Sequence, residues 1–163
     1  MPEPCGRSRF AEHGKDCAHA VGALEAASWR AVEAAGRLDL FDLAARAVAT
    51  QHGLEPLARP LAAGPSPWSE DDVTGWRQRE DLDDSARAAL HLAEQMAFDV
   101  ASTQPEQREA FFSALGADAA PFAQAVYAAD LIPRARAALD ALFGTSDWPA
   151  PETAHAPELR AAV

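Results

Sequence analysis

Residues that fill a pleated sheet are nearly missing from this chain of 163 residues, which has one Ile, seven Val, five Thr and one Tyr. A sheet of any size needs β-branched and aromatic side chains, so that class of fold is excluded. Cysteine is scarce too, and Cys5 and Cys17 are too few for a disulfide framework. There is a single Lys, and 14 basic residues stand against 25 acidic ones, for a net charge of −11. Such a surface repels phosphate backbones and anionic headgroups, which argues against nucleic acid or a membrane surface as the main partner. No window approaches the roughly 20 uninterrupted apolar residues of a membrane span, and MPEPCGRSRF lacks the apolar run of a signal peptide. A cytoplasmic protein is therefore expected. A phosphate-cradling glycine loop and a G-x-S-x-G elbow are also missing, which leaves nucleotide and serine-hydrolase chemistry without support.

Alanine fills the space. The 40 Ala supply about half of the 48% apolar content, and Leu contributes 15. Alanine is the strongest helix former, so these counts predict a single all-α domain with an Ala-rich core. Residues 1–15 mix Pro, Gly and charge and read as a flexible arm, 16–144 as the helical domain, and 145–163 as a Pro-rich tail. A first helix is expected between Asp16 and Gly36, with Val21, Leu24, Ala27, Val32 and Ala35 facing inward. The second starts at an Asp39 N-cap and ends near His52, where Gly53 supplies the left-handed residue. Pro56 and Pro60 predict one broken turn over LEPLARPLAAGPSP. Ser69 and Asp72 form a capping box that opens a short helix through Trp76 to Arg79. Further helices are expected over Ser85–Ser102, from a Thr103/Glu106 box to Gly116, and from Asp118 to Gly144. In that last one Phe122, Val126, Ala129, Leu139 and Leu142 point inward and Pro133 introduces a kink. About six helices result.

From Leu38 to Gly144 the order of landmarks resembles the carboxymuconolactone decarboxylase family, in its alkylhydroperoxidase D-like branch. LFDLAARAVATQHG matches the helix that leads into the family's Gly-Cys-x-x-Cys-x-x-x-His motif. Trp76, Leu90 and Glu94 follow at the family spacing, and LIPRARAAL carries Arg134 where the last helix has its Arg. The resemblance implies an alkylhydroperoxidase D-like helical bundle, thiol peroxidase ancestry, and assembly of the chain into a homo-oligomer, a trimer or larger. With Gly53 on the family glycine, Leu54 and Leu57 take the two cysteine positions and Leu61 the histidine position. Only a thiolate attacks a peroxide, so this motif is disarmed. The expected role is that of a noncatalytic oligomeric member or one that binds a small apolar ligand, with no cofactor and no metal.

Two sets of residues keep enzymatic alternatives open. Asp42 stands where the family has its relay acid, and with His52 and Glu55 it is a candidate acid–base set for decarboxylase or isomerase chemistry. As a residue of the first helical turn, Asp42 equally suits the orphan N–H groups there. Cys17 lies one turn after His13, close to Lys15 and His19, which sets an imidazole beside a thiol, and Cys5 is a candidate resolving partner for a hydroperoxide reductase. Cys5, His13, Cys17 and His19 have zinc-binding chemistry but match no common structural spacing. The seven carboxylates between Glu70 and Asp84 lack the loop pattern of a calcium site and read as a solvated face. Trp29 and Trp76 fit the core better than a cofactor platform.

Overall fold

A computed structural model describes residues 7–143, with side chains given from His13 onward except that of Val100. It is all-α, with no strand among the described residues. Five long helices are joined by one single-turn helix: α1 (Arg7–Ala34), α2 (Leu38–His52), α3 (Glu70–Thr74), α4 (Asp84–Asp99), α5 (Pro105–Leu115) and α6 (Ala119–Phe143). No described helix is long and apolar enough to cross a membrane. The segments 1–6 and 144–163, with Cys5 and the Pro-rich tail, lie outside the described residues.

Helix α2 is the hub. Phe41, Leu43, Ala44, Ala45, Ala47, Val48 and Ala49 are all buried, which surrounds the helix on most of its circumference. It packs on α4 and α6, while α1 lies along α6 and α5 rests on α4. Small Ala side chains allow these close approaches. Volume is supplied by an aromatic chain that joins four helices: Trp29 meets Phe41 edge-on at 4.8 Å, Phe41 meets Phe122 at 6.3 Å, and Phe122 meets Phe111 at 6.4 Å. Gly53 ends α2 with φ 62°, and its N–H reaches the Thr50 carbonyl, as the left-handed cap expected there does.

Several local expectations are corrected. Helix α1 starts at Arg7 rather than Asp16, because Gly14 sits inside it at a close approach to α6. A Cβ at Gly14 would lie 2.9 Å from the Phe143 ring. The inward face of α1 runs through Ala18, Glu25, Trp29 and Val32, while Leu24 and Ala27 are exposed. The N-cap of α2 is Arg37, without a side-chain bond, and Asp39 falls in the first turn. The box at α5 joins Gln104 and Gln107, one residue beyond the Thr103/Glu106 pair, because Pro105 takes the first helical position. The Ser69/Asp72 box forms as expected, but α3 ends at Thr74 ahead of Gly75. Helix α6 holds Pro133 in its interior as expected, but Leu142 near its end is exposed rather than inward.

Candidate functional site

Leu54, Leu57 and Leu61, set at redox positions only by the resemblance, have three different surroundings. Leu54 lines a cleft of 330 Å³ with Arg46, Thr50, Glu55 and Glu70. Leu57 is buried at 3% exposure, whereas Leu61 stands in solvent at 87%. Residues 54–60 carry no helix, and a single 3-10 turn follows over Leu61–Ala63. Pro56 and Pro60 account for this, since neither offers an N–H and each restricts the residue before it.

Asp42 is 1% exposed, and Arg46, Arg59 and Ser66 surround its carboxylate. Arg46 Nε donates to its Oδ1 at 3.3 Å, while Arg59 Nη1 and Ser66 Oγ donate to Oδ2 at 3.2 and 2.5 Å. Arg59 also reaches Asp39 Oδ1 at 2.8 Å and the carbonyls of Ala63 and Gly64. Trp68 Nε1 donates to the Asp39 carbonyl at 2.7 Å. These bonds strap residues 59–68 across the first turn of α2. Both carboxylate oxygens of Asp42 are thus engaged by donors that belong to the fold.

Asp42, His52 and Glu55 are not brought together. Asp42 and His52 stand ten residues apart on one helix, a separation of about 15 Å along its axis. Glu55 is exposed on the cleft that Leu54 lines. His52 turns to α6, where its Nε2–H donates to Asp130 Oδ1 at 2.8 Å. Asp130 is buried and takes a second contact from Arg134. Arg134, the arginine of the family comparison, thus holds the carboxylate that orients His52.

On α1, His13 and Cys17 lie four residues apart on a continuous helix, and both are exposed. Cys17 is a free thiol, and Cys5 lies outside the described residues. Among the described residues no group of three His, Cys, Asp or Glu is placed to hold a metal ion. Trp76 and Glu94, paired by spacing in the sequence, meet directly: Trp76 Nε1 donates to Glu94 Oε1 at 3.0 Å, and Arg77 holds Oε2.

Sequence reasoning missed two buried acids, Asp130 and Glu25. Glu25 is 0% exposed on α1, paired with Arg136 of α6. Burial raises its pKa from the ordinary 4.5, outweighing the opposing pull of Arg136 and the Ala58 amide. The signal was a charge on the stripe Ala18–Glu25–Trp29–Val32, at helical spacing. A raised folded pKa means that the folded state holds this proton more tightly. Its stabilisation is complete below pH 4.5 and is lost as pH rises through the raised value. The lowered pKa of Asp72, set by the Ser69 cap and then Arg79, acts on the other side, with stability lost as pH falls below 3.8. Glu25→Gln is expected to flatten the decline above pH 4.5, so that its thermal midpoint gains on wild type as pH rises. Parallel melting profiles from pH 4.5 to 7 would contradict this assignment.

No family model, curated protein or solved structure matches the chain.

Proposed function

We propose that this chain is a noncatalytic member of the alkylhydroperoxidase D-like type. Its thiol peroxidase site is degenerate, and it acts in the cytoplasm as a homo-oligomer or by binding a small apolar ligand. The observation that carries this reading is the divergence of Leu54, Leu57 and Leu61 into a cleft, the core and solvent. A redox site needs its thiols and its base to converge on one point, and leucine offers neither nucleophile nor proton. The engagement of Asp42 by Arg46, Arg59 and Ser66 adds support, since the relay acid has become a strut. Tyr127, Phe98, Phe112 and Leu131 are exposed on α4, α5 and α6, which suits a protein that works by contact.

A steady-state assay with tert-butyl hydroperoxide and dithiothreitol tests the noncatalytic part. Peroxide consumption is expected at the rate of the reductant alone, and turnover above that background would overturn it. Sedimentation at micromolar concentration tests assembly, and a monomer would remove that part.

A second reading has one observation in its favour. His52 is half-buried and held by the buried carboxylate of Asp130, an arrangement that orients an imidazole for acid–base chemistry of the decarboxylase or isomerase kind. It predicts activity that His52→Gln abolishes while the fold is retained.

A further inference from the structure

Between α4, α5 and α6 lies a groove of 350 Å³ whose wall is formed by Leu92, Met96, Phe111, Phe112 and Ala123. Phe112 is 53% exposed, and its ring meets that of Phe111 edge-on at 5.7 Å. Beside this apolar wall stands one charged side chain, Arg108. Its Nη2 donates to the Thr103 carbonyl at 2.9 Å, which fixes the guanidinium at the groove.

Arg108 differs from most arginines here. Arg37, Arg46, Arg59, Arg77, Arg79, Arg134 and Arg136 are all in ion pairs. In a chain with 25 acidic residues against 14 basic ones, Arg108 makes no ion pair among the described residues. An apolar groove with one anchored cation complements a ligand with one anionic head and an apolar body. A planar guanidinium suits a carboxylate, to which it presents parallel N–H groups. A polyanion would find a single positive charge, and a cationic ligand would meet repulsion. The size and the apolar lining with one charged group match small-molecule sites, and Met96 supplies an adaptable wall.

We propose that this groove binds an amphiphilic monocarboxylate, an alkyl or aryl acid of medium length, with its carboxylate on Arg108 and its apolar body along Met96 and Phe112. This rests on the ligand-binding half of the function proposed above and gives that ligand a place and a charge.

Calorimetric titration of the full chain with octanoate and with octan-1-ol tests it. Octanoate is expected to bind about tenfold or more tightly than the alcohol, and Arg108→Gln to reduce octanoate to the alcohol's level while leaving the alcohol unchanged. Phe112→Asp, at an exposed position, is expected to weaken octanoate by placing a like charge in the groove, with the helical circular dichroism retained. Equal binding of octanoate by wild type and Arg108→Gln overturns the proposal, as does no saturable binding at millimolar octanoate. An oligomer that Phe112→Asp dissociates, in a protein that binds no octanoate, would assign the groove to a second copy instead. No octanoate binding together with no peroxide turnover removes this site and leaves the noncatalytic reading intact. Peroxide turnover with octanoate bound at Arg108 does the reverse.

Discussion

Asp42→Ala is expected to destabilise the protein by about 3–5 kcal/mol, because the bonds that Arg46, Arg59 and Ser66 make to one buried carboxylate are lost together. Arg59, with a side-chain exposure of 10%, would keep only the exposed Asp39 as a carboxylate partner. The loss is a large share of the roughly 5–15 kcal/mol that holds a domain of this size together. Asp42→Asn keeps the shape and an acceptor for Ser66, and a smaller loss of about 1–3 kcal/mol is expected. Segment 59–68 should exchange its amides faster in both variants, since Asp42 and Asp39 together hold Arg59 on α2. Chemical denaturation checks both values. A catalytic acid in an open pocket behaves otherwise: its removal leaves stability nearly unchanged. A loss below about 1 kcal/mol for Asp42→Ala contradicts the role of strut.

Trp76→Ala should cost about 3–5 kcal/mol, the range for removing a fully buried indole. Trp76 is buried against α4, its ring meets His91 edge-on at 4.8 Å, and its Nε1 satisfies Glu94. Trp76→Phe separates packing from polarity. It retains most of the apolar ring and leaves Glu94 Oε1 without its donor, for an expected loss of about 1–3 kcal/mol. Combining Trp76→Phe with Glu94→Gln should give less than the sum of the single losses, since both act on one hydrogen bond. Strict additivity in urea denaturation would show that the pair is not coupled.

Much of the backbone was legible because its rules are local. Ala content and missing strand formers foretold an all-α chain, and Gly53 and the Ser69/Asp72 box marked helix ends by chemistry that acts within four residues. Errors arose where tertiary contacts override a local preference. Glu25 gave the apolar periodicity of α1 no signal, yet Arg136, 111 residues later, pairs with it inside the fold. That pairing turns the face of α1 and leaves Leu24 in solvent. Gly14 reads as a breaker by propensity, whereas its missing side chain is what lets α1 approach Phe143.

The candidate site was legible in its residues and not in its geometry. Asp42 stood out in the sequence as a position with two possible roles, and in the structure it is buried with both oxygens engaged. Asp42, His52 and Glu55 were read as a candidate set, although ten residues of helix keep Asp42 and His52 far apart. The acid that reaches His52 is Asp130, 78 residues away. Arg59 drew no notice inside a Pro-rich stretch. Its role arises because Pro60 and the Ser66 between Pro65 and Pro67 fold that stretch back over α2, a path that no periodicity reports.

The most direct measurement is a thiol count on the reduced protein before and after one equivalent of an organic hydroperoxide, with Cys17→Ser measured alongside. A site without an activated thiol predicts that both thiols of the wild type persist for hours and that the variant differs only by its missing sulfur. Rapid loss of two thiols in wild type, abolished by Cys17→Ser, would contradict the account and place a working peroxidase centre on α1.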